Sequence, residues 1–280
     1  MQRGLIPNRS AKKVIIRYSA LLPKRGNVVI RWFRTGSAYT GNGAAEFLRE
    51  CFSRLPKRVW KVFVRAVSSF FNGEILDLLE ENSSEYLIKV KMKNLSTLLM
   101  QQKWQKVRGQ KGFESTEFQY KCHGWKRERR FVDIKKSLNQ PQKRPFFPFL
   151  HQEFFCYVTN LTRSNWKVHK CYAKRSTSEN WIEWCKNQMA SGTIRTQDFW
   201  ANSALFQTAI LAYNLMVWMM WLLTKNSFHE EPNTIRAWLM KKPAKLIHRA
   251  RQFILTLSKD YVFKERWREM EQALSNLNLT

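Results

Sequence analysis

The chain has 280 residues, 44% of them hydrophobic, which is enough for one large domain or two small ones with a sizeable core. Lys plus Arg number 49 against 21 Asp plus Glu, a formal charge of +28. That balance disfavours cationic partners and points to a polyanion, nucleic acid first, because neutralising phosphates releases counterions.

The cations are spread along an apolar chain with 12 Trp and 19 Phe, rather than gathered into tails. A folded domain fits this better than a ribosomal or membrane-surface protein. Five cysteines without a CxxC pair fit a reducing compartment. The spacing of Cys122, His123, His169 and Cys171 matches no common zinc pattern. Residues 1–30 are basic, and Arg17 interrupts their only apolar stretch, which does not read as a signal peptide.

In chain order, Val14–Ile16 and Val28–Ile30 read as short strands separated by Pro23 and Gly26. A turn at Gly41-Asn42-Gly43 leads into a helix from about Ala44 to Leu55, stopped by Pro56. Val59–Val64 is apolar apart from Lys61 and predicts a strand buried on both faces. Asn72 can cap a helix starting near Gly73, with Glu74 in its first turn and Ile75, Leu76, Leu78 and Leu79 on its buried side. Tyr86–Val90 is then a second buried strand, and the three elements make a parallel βαβ unit.

Residues 91–158 alternate in character, as in Phe118–Cys122 and Phe131–Ile134, and predict a β-rich insertion ending with Phe154–Val158. One long helix is expected from about Ser164 to Ala190, closing near Gly192. Ala204–Thr224 carries no charge but includes Gln207, Tyr213 and Asn214. It predicts a helix buried at the back of a sheet rather than a membrane span. The basic C-terminal part offers a strand at Phe253–Leu257 and a helix carrying Trp267, Met270 and Leu274. The resulting division is 1–90, 91–158, 159–225 and 226–280.

Tyr172, Arg175, Glu179 and Lys186 stand at offsets 0, 3, 7 and 14. On one continuous helix all four fall within an arc of about 60°. Such a stripe sets a metal-binding carboxylate between phosphate-binding cations, which phosphodiester cleavage requires. Helix physics alone favours a solvated salt-bridge face, since Arg175 and Glu179 are an i,i+4 pair.

The spacing resembles the Tyr-(2)-Arg-(3)-Glu-(6)-Lys signature of a large group of bacterial insertion-sequence transposases of the DDE class. Further landmarks follow in the family's order: Gly41-Asn42-Gly43-Ala44, Leu55-Pro56-Lys57-Arg58-Val59, Tyr157-Val158-Thr159-Asn160-Leu161, Asn202, and Ala212-Tyr213-Asn214-Leu215. Together they span about residues 35 to 225. The resemblance implies an α/β (α+β) architecture: an RNase H-like catalytic core with a β-rich insertion before the glutamate helix. It implies two aspartates and a glutamate holding two divalent metals, Mg²⁺ or Mn²⁺, for cleavage and strand transfer at transposon-end DNA. It also implies a bacterial, cytoplasmic, nucleoid-associated protein with no membrane partner.

The chain departs from the family where chemistry is concentrated. The family's Arg-X-Asp-Ser-Gly-Phe motif reads Arg65-Ala66-Val67-Ser68-Ser69-Phe70, so Val67 takes the place of the second aspartate. Glu74 and Asp77 on the next helix give no sign of substituting. Residues 1–35 contain no Asp or Glu, so the strand of the first aspartate is either lost with the N-terminus or too altered to read, as expected of an N-terminally truncated, degenerate copy.

Glu179 remains as the one metal and catalytic carboxylate. The expected DNA contacts are Tyr172, Arg175, Lys186, Arg65 and the cluster Lys126, Arg127, Arg129 and Arg130 beside Trp125. The expectation is a transposase-type DNA-binding protein without catalysis. The alternative is a non-catalytic DNA-binding module, or one that pairs with intact transposase and inhibits it. A homodimer is a further possibility.

Overall fold

The structure is a computed structural model and describes residues 19–21, 28–33, 43–59, 61–91, 95–137, 152–223, 230–241, 244–258 and 260–276. The strand expected at Val14–Ile16, and Gly41 and Asn42 of the expected turn, lie outside these residues. In chain order the elements are β1 (Ser19–Leu21), β2 (Val28–Arg31), α1 (Ala44–Arg54), β3 (Phe63–Ala66), α2 (Gly73–Glu81), β4 (Glu85–Lys89), α3 (Ser96–Met100), β5 (Gln105–Lys106), β6 (Phe113–Tyr120), β7 (Arg129–Ser137), β8 (Gln152–Thr159), α4 (Asn165–Ala173), α5 (Ser176–Gln188), α6 (Phe199–Leu223), α7 (Pro232–Leu239), β9 (Ala244–Arg249), β10 (Gln252–Leu257) and α8 (Lys264–Ser275). Two compact units result, one of Tyr39–Thr177 and one of Met1–Ala38 with Ser178–Thr280.

The unit of Tyr39–Thr177 is built on a six-stranded mixed sheet in the order β3-β4-β8-β7-β6-β5. β3 and β4 run parallel, with Val64 opposite Tyr86 and Ala66 opposite Ile88. The other neighbours are antiparallel. Helix α2 makes the crossover, as the βαβ reading expects. Its start is set by Asn72, whose side chain accepts a hydrogen bond from the Glu74 amide at 3.1 Å, and it buries Ile75, Leu76 and Leu79.

Helix α1 begins after Gly43, whose φ of 79° lies in the left-handed region where a side chain would be strained. On one face of the sheet, Leu87, Val132 and Tyr157 pack with Val168 of α4. The strands of residues 105–159 continue the same sheet as β3 and β4.

Two expectations require correction here. The strand expected at Val59–Val64 forms at Phe63–Ala66, Val59 is exposed, and only Ala66 of the strand is buried. Among the described residues β3 is the edge strand of this sheet, and Phe63, Val64 and Arg65 are only partly covered. The long helix expected over Ser164–Ala190 is interrupted at Lys174–Arg175, giving α4 and α5.

In the other unit, α6 is the spine. Its buried side packs with Val28 and Cys185 at one end and with Ile235, Trp238 and Met270 at the other. Asn214 fixes it to β2: the Val28 amide donates to Asn214 Oδ1 and Asn214 Nδ2 donates to the Val28 carbonyl, both at 2.8 Å. Gln207 donates to the Arg31 carbonyl at 3.1 Å. The helix therefore lies on a strand, but it is not buried all round. Leu211, Leu215, Trp218 and Leu222 are about half exposed, which corrects the expectation of a fully buried helix.

Candidate functional site

At the carboxyl end of β3, Val67 is half-buried and extended (φ −75°, ψ 170°), and a 3-10 turn, Ser68–Phe70, follows it. Carboxyl ends of strands beside a parallel crossover are where α/β sheets present functional side chains. The valine side chain at this strand end has no oxygen to give a metal. The nearby acids of α2 are engaged elsewhere. Glu74 accepts from Arg49 at 3.3 Å, and Asp77 pairs with Arg129 at 2.6 Å.

Arg65, two residues earlier, closes the end of α4. Its guanidinium donates to the Cys171 carbonyl at 2.6 Å and the Lys174 carbonyl at 3.1 Å. The Arg175 amide donates to the Tyr172 carbonyl at 2.8 Å, and Ser176 Oγ to the Ala173 carbonyl at 3.1 Å. The last carbonyls of α4 thus find partners without a continuing helix. Since α4 and α5 are separate, the 60° stripe expected for Tyr172, Arg175, Glu179 and Lys186 does not lie on one continuous helix. Tyr172 and Arg175 flank the break, with the Arg175 cation 5.7 Å from the Tyr172 ring, which itself packs on Tyr157. Glu179 is exposed in the first turn of α5, and Lys186 is half-buried in its last.

Among the described residues no group of three or more His, Cys, Asp or Glu side chains converges as metal ligands. With valine at position 67, no step through a metal is derived for this chain.

The basic cluster has an internal assignment that sequence does not reveal. Arg129 is buried, and its guanidinium bridges Asp77 and Glu80 at 2.6 and 2.8 Å while lying 4.9 Å from the Trp125 ring. Burial pushes the Glu80 carboxyl up. Hydrogen bonds from Arg129 and Tyr86 and the nearby arginine charges outweigh this and hold it below its ordinary value. Arg130 joins Glu117 to the Leu161 and Arg163 carbonyls and to Asn165 Oδ1, tying β6 and β7 to the start of α4.

Lys126 and Arg127 are exposed and face the same acids more loosely, Lys126 at 3.7 Å from Asp77 and Arg127 at 3.4 Å from Glu80. The polar cleft beside them holds about 480 Å³ and is lined by Glu80, Glu117 and Glu128 as well as Arg129 and Arg130. Its carboxylates repel phosphate, so it is not a groove for a nucleic-acid backbone. Exposed cations stand instead around β5 and the turn to β6, at Lys103, Lys106, Arg108 and Lys111. The density of four cations in this short stretch was visible in the sequence and is the signal the motif reading passed over.

The fold, a mixed sheet flanked by helices with a crossover ending at a strand terminus, is compatible with an RNase H-like core. A family model, the transposase DDE domain group 1, matches residues 23–279. The match covers nearly the whole chain, and the protein belongs to the DDE transposase family. That family comprises DNA-cleaving transposition enzymes that generally use divalent metals. No curated protein matches the chain significantly.

Proposed function

We propose that this protein is a transposase-type DNA-binding protein that holds DNA without cleaving or joining it. The carrying observation is Val67 at the carboxyl end of β3, in the place of the family's second aspartate. With valine there, two-metal activation of water or a 3′-hydroxyl lacks the carboxylate that this position would supply.

The DNA reading rests on the +28 charge and on where cations are free of structural duty. Arg129 and Arg130 hold the fold together. Lys103, Lys106, Arg108 and Lys111 are the contacts we assign to phosphate, joined by the loosely paired Lys126 and Arg127; Tyr172 and Arg175 at the α4–α5 break, and Lys186 in the last turn of α5, remain candidates. Arg65 serves the same break from β3.

A salt titration of duplex affinity tests the binding half. Affinity should fall steeply with salt, and removing Lys103, Lys106, Arg108 and Lys111 should lower the log–log slope by roughly three to four. No binding at low salt sinks the reading. A chain that binds and also lowers the activity of an intact relative would be an inhibitory module, which the same binding surface would serve.

A further inference from the structure

We propose, on the reading that the protein holds DNA, that the β9–β10 hairpin is a second DNA contact, a β-ribbon that enters the major groove of a duplex. The hairpin is a two-stranded sheet of its own, paired from Ala244 opposite Leu257 to Arg249 opposite Gln252. Directly opposed residues share a face. One face therefore carries Leu246, His248, Phe253 and Leu255, and the other Lys245, Ile247, Arg249 and Ile254. Phe253 is 74% exposed, Leu246 63% and Leu255 62%. Among the described residues, neither apolar cluster of the same unit includes a hairpin residue.

Charge and size choose duplex DNA as the occupant. Residues 240–259 contain Lys241, Lys242, Lys245, Arg249, Arg251 and Lys259 and no Asp or Glu. A second copy of a +28 chain is repelled by such a segment, and phosphate is attracted. Ala250 and Arg251 make the two-residue turn, both in the left-handed region at φ 50° and 63°. Turns of this kind ordinarily take Asn or Gly. Here a strained position sets an arginine at the apex, next to Arg249 of the last pair. Behind the apex the His248 ring stacks on Phe253, with centroids 4.7 Å apart. That pair offers an apolar surface to base edges and thymine methyls. Paired strands stand about 5 Å apart before side chains are added. A ribbon of that width is too broad for the minor groove, about 6 Å across, and fits the major groove, about 12 Å across.

Salt titration of the full chain on a mixed-sequence duplex tests the hairpin separately from the β5–β6 turn. Arg249→Gln combined with Arg251→Gln should lower the log–log slope by about two. Phe253→Ser should weaken binding about ten-fold at unchanged slope, and so should a duplex whose major groove is crowded by glucosylated 5-hydroxymethylcytosine. Hairpin variants that keep wild-type affinity and slope, while removal of Lys103, Lys106, Arg108 and Lys111 weakens binding, overturn the hairpin assignment and leave the DNA-holding function standing. A wild-type chain that binds no duplex at low salt overturns both. Equal affinity for the crowded and the plain duplex overturns the major-groove assignment. A Phe253→Ser chain that melts well below wild type shows a face covered within the protein and overturns it too. So does a Phe253→Ser chain that loses binding to anionic vesicles and keeps its affinity for the duplex.

Discussion

The Arg65 guanidinium donates to the carbonyl oxygen of Cys171 at 2.6 Å, and so joins the end of β3 to the end of α4 across more than a hundred residues of sequence. A second bond to the Lys174 carbonyl makes the contact a fork that only arginine can form. Arg65→Lys should therefore cost about 1 kcal/mol, and Arg65→Ala about 1 to 2 kcal/mol, by leaving the half-buried Cys171 carbonyl without its donor. Urea unfolding of the two variants measures both. Equal stability of all three proteins would show that the fork holds nothing.

Arg129 makes the opposite prediction from an exposed DNA contact. Arg129→Ala leaves Asp77 and Glu80 facing each other without their central cation and should cost about 3 to 5 kcal/mol. Lys126→Ala, with a side chain 74% exposed, should change stability by less than about 0.5 kcal/mol. Chemical denaturation and salt-dependent DNA affinity, measured on both variants, separate a structural cation from a binding one.

Gly73 sets two effects against each other. Alanine is the better helix residue by about 1 kcal/mol. A Cβ at position 73, however, would come within 2.8 Å of Trp125 Cδ1, and that ring is held by Phe71, Phe131 and Arg129. Overpacking of about 1 to 3 kcal/mol should win, so Gly73→Ala is expected to lower the melting temperature. A rise would mean that the Trp125 cluster yields easily.

Asp133 supplies a pH signature. It is buried opposite Cys156, whose thiol donates to it at 3.1 Å, and burial pushes its carboxyl up to about 7. The folded state keeps a proton that the unfolded chain releases near pH 4. Stability from this group is full below the ordinary carboxylate range and is lost as pH rises to about 7, at up to about 1.4 kcal/mol per pH unit, and it levels off beyond. Asp133→Asn should remove that slope between pH 4 and 7. An identical pH profile for variant and wild type would contradict the assignment.

The legible parts of this fold were those fixed by local chemistry. Asn72 with Glu74 announced the start of α2, and the apolar runs on either side announced a parallel pair. The α4–α5 break was not legible, because residues 165–188 contain neither Pro nor Gly. It depends on Arg65, distant in sequence, and on Ser176, which competes for a backbone carbonyl as serines do.

Burial of Arg129 was hidden for a similar reason. Its partners Asp77 and Glu80 lie on another element, and a run of cations reads alike whether it meets phosphate or carboxylate. The exposed side of α6 escaped because an uncharged apolar helix carries no pattern that separates a covered face from an open one. Val67, by contrast, was readable from the motif register, and it falls at the end of β3.

The central claim, DNA held but not cut, is tested most directly by incubating the purified chain with labelled transposon-end duplex and Mg²⁺ or Mn²⁺ under conditions where a shifted complex is seen. The account predicts a complex with no nicked or joined product. Metal-dependent nicks that disappear with a chelator would contradict it.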